Sequence, residues 1–148
     1  MALIDDLGAG LVAIDTAAFI YFIEEDERFL PAIAPLFAAA DAGKCEIVTS
    51  AVTLLEVLVI PYRKGNIELA ERYEALLTRS RGVRMVDLTR GHLRLAAQLR
   101  ATTSIATADA LQLAAALASR CSNFVTNDRR LPAVPGLRII QLGTYGVI

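Results

Sequence analysis

The segment TADALQLAAALASRCSNFVTNDRRL, at residues 107–131, decides the fold. Its first part, 108–120, repeats small and apolar residues at helical spacing, which predicts a helix capped by Thr107 and packed closely on a sheet. Its second part, NFVT at 123–126, is typical of a buried strand. A helix that leads directly into a buried strand indicates a βαβ unit, and therefore a mostly parallel sheet.

The same alternation runs through the rest of the chain and predicts an α/β fold. Further strands are predicted at 11–14, 46–49, 83–88 and 138–142, the last at an edge of the sheet. Further helices are predicted at 17–24, 29–42, 51–62 and 67–81, and from Thr89 through His92 to Arg100. Side chains that can cap these helices are Asp15 or Thr16, Ser50, Asn66 and Thr89.

Length and composition indicate one domain, over 1–148, with a large core. The chain has 148 residues, of which 55% are hydrophobic, and its mean hydropathy is +0.47. This excludes a disordered chain, and no run reaches the roughly 18 apolar residues of a membrane helix. The first ten residues, MALIDDLGAG, carry two aspartates where a signal peptide would be positive, so we expect a cytoplasmic protein.

The charged residues, cysteines and histidine restrict which partners and which metal sites are possible. A net charge of −1 neither indicates nor excludes a nucleic-acid partner. The two cysteines, Cys45 and Cys121, match no CxxC spacing, and His92 is the only histidine. A Cys/His zinc site is therefore nearly excluded.

Four acids lie near the carboxyl ends of predicted strands, where parallel α/β sheets collect functional groups. They are Asp15, Glu56, Asp109 and Asp128. Taken singly, the three aspartates have simpler roles as a helix cap, a charge on a helix dipole and a turn residue. Glu56 is harder to explain in this way, because its helical neighbours are mainly apolar and an unpaired buried carboxylate is costly. One shared cause is favoured over four coincidences.

Several carboxylates without histidine or thiolate form a hard-oxygen site, which suits Mg²⁺ or Mn²⁺. Such a site supports phosphoryl chemistry, because a bound divalent ion activates water and stabilises a leaving oxygen. The four acids are therefore candidate catalytic and metal-binding residues.

Four segments in order carry a family resemblance: AIDTAAFIYF at 13–22, TLLEVL at 53–58, TADALQLAAALA at 107–118 and FVTNDRRL at 124–131. Together they resemble the PIN-domain ribonucleases, and in particular the toxins of VapBC-type toxin–antitoxin pairs. The resemblance implies a PIN-like three-layer sandwich, with a mostly parallel central sheet of about five strands flanked by helices. It also implies that Asp15, Glu56, Asp109 and Asp128 gather Mg²⁺ or Mn²⁺, with Thr126 and Asn127 in support.

The same resemblance implies an endoribonuclease that hydrolyses RNA and is silenced by a cognate VapB-like antitoxin. We also expect a homodimer. The chain departs from the family pattern in having TTSIATAD in place of a Gly-rich turn before the third acid, and in residues 1–10, which form an N-terminal extension. Both departures leave the acids in place.

Arg129 and Arg130 are candidate RNA-binding residues, although solvated surface charge would explain them equally well. Two other functions stay open. A PIN-fold protein could bind RNA or a partner without cutting it. A receiver-like signalling domain would share an acidic pocket, but it needs a lysine after a late strand, and Lys44 and Lys64 both come too early.

Overall fold

The computed structural model describes residues 2–8 and 10–146. Its helices are α1 (Leu3–Leu7), α2 (Thr16–Ile23), α3 (Leu30–Asp41), α4 (Ala51–Arg63), α5 (Ile67–Arg79), α6 (Arg90–Thr102) and α7 (Thr107–Ala118). Its strands are β1 (Gly10–Ile14), β2 (Cys45–Ser50), β3 (Val83–Val86), β4 (Asn123–Thr126) and β5 (Arg138–Gln141), and a short 3-10 helix covers Leu142–Tyr145.

The five strands form one sheet in the order β3-β2-β1-β4-β5, and every neighbouring pair is parallel. This confirms the predicted parallel sheet and the edge position of β5. The chain builds outward from β1 to β3 and then returns to add β4 and β5 on the other side. The order therefore reverses between β1 and β4, which is where α/β folds place their binding crevices.

Helices cover both faces of the sheet. On one face, Val12 and Ile14 of β1 share a buried cluster with residues of α2, α3 and α5. On the other face, Ala13 shares a second cluster with residues of α6 and α7. Because both faces of β1 are buried, its sequence is continuously apolar rather than alternating. The three-layer sandwich is confirmed.

The helix caps follow the sequence with one exception. The side chains of Asp15, Ser50, Asn66 and Thr89 each accept a hydrogen bond from a backbone N–H in the first turn of their helix. The predicted cap at Thr107 is wrong, because the backbone is extended at Ala106 and the helix begins one residue earlier.

The third strand is also shorter than predicted. It ends at Val86 rather than Leu88, because Asp87 and Leu88 are exposed and lead into the Thr89 cap of α6.

The amino-terminal segment adds a short helix to the core. Leu3 and Leu7 of α1 are buried, and the Asn123 side chain donates a hydrogen bond to the Leu7 carbonyl. Met1 and Ala9 of the predicted extension lie outside the described residues. None of the helices in the described part of the chain combines the length and the apolar character needed to cross a membrane.

Candidate active site

The fold brings the four predicted acids to one edge of the sheet. Asp15 directly follows β1, Glu56 lies in the second turn of α4, Asp109 lies in the first turn of α7, and Asp128 follows β4. They lie close enough for their charges to interact, since Asp128 and Glu56 both raise the pKa of Asp109, and Asp109 raises that of Asp15.

Asp15 is held by the chain on both of its carboxylate oxygens. Oδ1 accepts a hydrogen bond of 3.4 Å from the Ala18 N–H, so that Asp15 is the N-cap of α2. Oδ2 accepts a hydrogen bond of 2.5 Å from the Thr126 hydroxyl. Burial raises the pKa of Asp15, the hydrogen bonds lower it, and the Asp109 charge adds to the rise. Capping the helix and facing the other acids are thus roles of the same side chain.

Thr126 links the first acid to the last. Its hydroxyl donates to Asp15 and accepts a 3.0 Å hydrogen bond from the backbone N–H of Asp128. Asn127 is exposed, and its amide donates to the Tyr21 hydroxyl at 3.1 Å. Thr126 therefore contacts the side chain of the first acid, while the Asn127 side chain contacts α2 and the Asn127 backbone helps to lower the pKa of Asp15.

Glu56 is held by a threonine of α2. Its Oε1 accepts a 2.6 Å hydrogen bond from the Thr16 hydroxyl. Behind Thr16 lies a buried polar network that the sequence analysis missed, made of Thr49, Thr53 and Gln112. Its signal in the sequence is the presence of polar residues within apolar runs, such as Gln112 within LQLAAAL.

Asp109 is the least restrained of the four acids. Its side chain is half-buried and forms no hydrogen bond within the described residues. Burial raises its pKa, and the charges of Asp128 and Glu56 raise it further, against an opposing effect of Arg130. Its oxygens are therefore free to bind a ligand.

Asp128 is paired with a residue of its own loop. The Arg130 guanidinium contacts both carboxylate oxygens, with Nε 3.0 Å from Oδ1 and Nη2 3.2 Å from Oδ2. These hydrogen bonds lower the pKa of Asp128. The Arg130 side chain is 90% exposed and that of Asp128 is 24% exposed, so the guanidinium lies in solvent over a partly buried carboxylate, and Arg129 is also exposed.

A cleft of about 340 Å³ opens beside the last two acids. It is lined by Asp109, Asp128 and Arg130, together with the loop 103–106 and Leu131 and Pro132. Carboxylates suit a hard cation and a guanidinium suits a phosphate, so this cleft offers donors for both parts of a metal–phosphate ligand.

The donor set fits a hard divalent ion in its chemistry. The convergent groups are carboxylate and hydroxyl oxygens, while the only histidine, His92, accepts the Thr89 N–H in the cap of α6. Within residues 2–8 and 10–146, however, no three His, Cys, Asp or Glu side chains are grouped around one point closely enough to hold an ion. The acids therefore lie close enough for their charges to interact, but they do not form a preformed coordination shell.

Comparisons with known proteins agree with this architecture. The family model described as the PIN domain matches residues 12–137. The structure of VapBC2 from Rickettsia felis, bound to a DNA fragment from its promoter, superposes with a TM-score of 0.68 and 17% identity, over 88% of this chain and 98% of that one. No curated protein matched the sequence.

Two further structures are similar. DNA-bound VapBC from Salmonella typhimurium has a TM-score of 0.61 and 21% identity, over 88% of this chain and 97% of that one. VapC20 from Mycobacterium tuberculosis, a toxin that cleaves the sarcin-ricin loop, has a TM-score of 0.62 and 16% identity, over 76% of this chain and 86% of that one. At these identities the similarity concerns the fold.

Proposed function

The chain belongs to the PIN domain family, and from that premise we propose that it is a metal-dependent endoribonuclease, the toxin of a VapBC-type toxin–antitoxin pair, acting in the cytoplasm. Membership of this family removes the receiver-like alternative. The observation that carries the proposal is the convergence of Asp15, Glu56, Asp109 and Asp128 at the point where the strand order reverses.

The four acids would hold Mg²⁺ or Mn²⁺. When bound, such an ion supplies an activated water and stabilises the leaving oxygen of a phosphodiester. The chain itself orients Asp15 through Thr126 and Glu56 through Thr16, and among the described residues Asp109 has no hydrogen-bond partner. The site thus combines two fixed carboxylates with two that can adjust to a ligand.

Arg129 and Arg130 are proposed to bind RNA phosphates beside the acids. Both are exposed, and Arg130 already adopts a two-point contact with the Asp128 carboxylate. A phosphate offers a guanidinium the same geometry. Arriving RNA would therefore compete with Asp128 for Arg130, releasing that carboxylate towards the cleft.

A VapB-like antitoxin is the proposed protein partner. A groove of about 320 Å³ between α2, α4 and α5 runs up to Glu56 and includes Ile20, Ile60 and Leu69 beside Glu24. Large apolar side chains stand exposed on the adjoining helices, with Leu55 at 67% and Ile67 at 55% exposure. An apolar surface that borders an acidic site suits a segment carrying apolar and basic residues.

A homodimer is proposed as well, since Val59 and Tyr62 of α4 are exposed outside that groove and would be covered by a second copy. Mass measured in solution at several concentrations tests this, alone and with the antitoxin. A single monomeric mass at every concentration would contradict the dimer.

The deciding experiment is cleavage of total RNA by purified protein with Mg²⁺, Mn²⁺ or EDTA, beside the variants Asp15→Asn and Asp109→Asn. We expect discrete products that need metal, and a loss of about a thousandfold in each variant, since a metal contributes several kcal/mol to the transition state. Asp41→Asn, which removes an exposed acid at the end of α3, before β2 and at the opposite end of the sheet from the cluster, should cleave like the wild type.

The second candidate function is that of a PIN-fold protein that binds RNA without cutting it, for which exposed arginines such as Arg129 and Arg130 would be enough. RNA binding by the wild type without metal-dependent products would support this alternative and contradict the nuclease.

A further inference from the structure

We propose that Gln112 is a positioning residue, which fixes the Glu56 carboxylate through the hydroxyl of Thr16. This inference rests on the proposed function, because it assigns a part to Glu56 in the reaction. The three residues come from α7, α4 and α2, so their hydrogen bonds join the helices that carry Asp109, Glu56 and Asp15.

The contacts form a continuous path. The Gln112 side chain is 5% exposed, and its Nε2 lies 2.7 Å from Thr53 Oγ1 and 3.3 Å from Thr16 Oγ1. Thr16 Oγ1 in turn lies 2.6 Å from Glu56 Oε1. Thr53 is fully buried and also contacts the Thr49 hydroxyl at 2.8 Å, so the path is anchored in the sheet at β2.

The chemistry of the donors gives the path a direction. A carboxylate only accepts hydrogen bonds, so the single hydroxyl proton of Thr16 is committed to Glu56. The Thr16 oxygen must then accept, and the amide of Gln112 has two N–H donors, one for Thr16 and one for Thr53. Gln112 thereby supports the Thr16 hydroxyl that holds Glu56, both directly and through Thr53, whose hydroxyl lies 3.3 Å from Thr16 Oγ1.

A purely structural role would also keep a buried glutamine hydrogen-bonded. The two roles differ in what they affect. Buried polar bonds that only support the fold contribute to stability, whereas groups behind a ligand typically change metal affinity or activity by about 10–100-fold. Metal affinity and turnover are therefore the quantities to measure, with stability measured beside them.

The test uses two variants that keep the side-chain shape but remove donors, Gln112→Met and Thr16→Val, and one that keeps the hydroxyl, Thr16→Ser. Mn²⁺ affinity is measured by calorimetry without RNA, and kcat and KM are measured by RNA cleavage. We expect Gln112→Met and Thr16→Val to weaken Mn²⁺ binding and lower kcat about tenfold with little change in KM, and Thr16→Ser, which keeps the hydroxyl, to restore both.

The same substitution made in a Glu56→Gln protein distinguishes a positioning role of Gln112 from a purely structural one. In Glu56→Gln protein, adding Gln112→Met should cause no further fall in kcat or Mn²⁺ affinity, because the group through which it acts is gone. Leu113→Val serves as the matched control, since this buried residue of the same helix packs in the other core cluster. It should lower the melting temperature and leave Mn²⁺ affinity unchanged.

The outcomes distinguish this inference from the proposed function. A wild type that cleaves RNA while Gln112→Met keeps full kcat and Mn²⁺ affinity overturns the inference alone, as does a fall that persists undiminished in the Glu56→Gln background. If the wild type binds Mn²⁺ without cleaving RNA, the inference is decided by the Mn²⁺ affinities of the variants alone. A wild type that neither cleaves nor binds Mn²⁺ overturns both.

Discussion

The two halves of the acid cluster are built differently. Asp15 and Glu56 each accept a hydrogen bond from a threonine hydroxyl, with O···O distances of 2.5 Å and 2.6 Å. Asp109 and Asp128 face the cleft, where the first has no hydrogen-bond partner among the described residues and the second has only an exposed arginine of its own loop. The interior half is thus oriented by the chain, while the cleft half is left for solvent and ligands.

The largest effect is expected from removing a donor in the interior half. Thr126→Val keeps the shape of a buried β4 residue but leaves Asp15 Oδ2 and the Asp128 N–H without their partner. An unsatisfied buried polar group costs about 1–3 kcal/mol, so the free energy of unfolding should fall by that amount in urea titrations. Thr126→Ser keeps the hydroxyl and should lose clearly less; equal losses would show that the hydroxyl has no such role.

An effect of opposite sign is expected in the cleft half. The folded-state pKa of Asp109 is raised above 3.8, chiefly by burial and then by its acidic neighbours. The folded state therefore binds this proton more readily than the unfolded chain, and stability is lost as pH rises through the raised pKa. Asp109→Asn removes that loss, so without metal the variant should melt higher than the wild type at neutral pH.

Calorimetry in EDTA at several pH values measures this difference. We expect the variant to melt higher at about pH 7, and each 1 kcal/mol gained raises the melting temperature of a domain of this size by about 2–4 °C. The gain should disappear below about pH 4, where both states are protonated. A gap that stays constant across pH would contradict the assigned cause.

The smallest effect is expected from Arg130→Gln. Because the Arg130 side chain is almost fully exposed, its ion pair contributes little to stability, and the melting temperature should stay the same within error. The pKa of Asp128 should nevertheless rise towards its ordinary value, since the Arg130 hydrogen bond is the main cause of its lowering. Carboxyl NMR titration measures this rise, with Arg129→Gln as the control; an unmoved pKa would mean that the pair does not persist in solution.

The sequence predicted those features that depend on local pattern. The continuous apolar run of β1 and the helix–strand order of 107–131 were enough for the sheet, because burial on both faces leaves a simple signature. The candidate acids could be predicted because the sequence shows where the strands end, and parallel strands end at the same side of a sheet. Asp15 as the cap of α2 followed from the same junction.

The hydrogen bonds behind the acids could not be predicted in this way. Gln112 meets Thr53 across 59 residues and Thr16 across 96, so the partners are fixed by how α7 packs on α2 and α4 rather than by spacing. The start of α7 differed by one residue because backbone conformation at Ala106, rather than a side-chain cap, begins it. Helix α1 has too few residues for a readable period.

The position of β1 in the sheet has a consequence for synthesis on the ribosome. Its neighbour β4 is made late, and the Thr126 hydroxyl that holds Asp15 comes 111 residues after it. A nascent chain therefore carries β1 with one open hydrogen-bonding edge through most of translation, a state prone to mispairing with other strands. The acid cluster is completed only when β4 pairs with β1, so chains that lack β4 also lack the complete cluster.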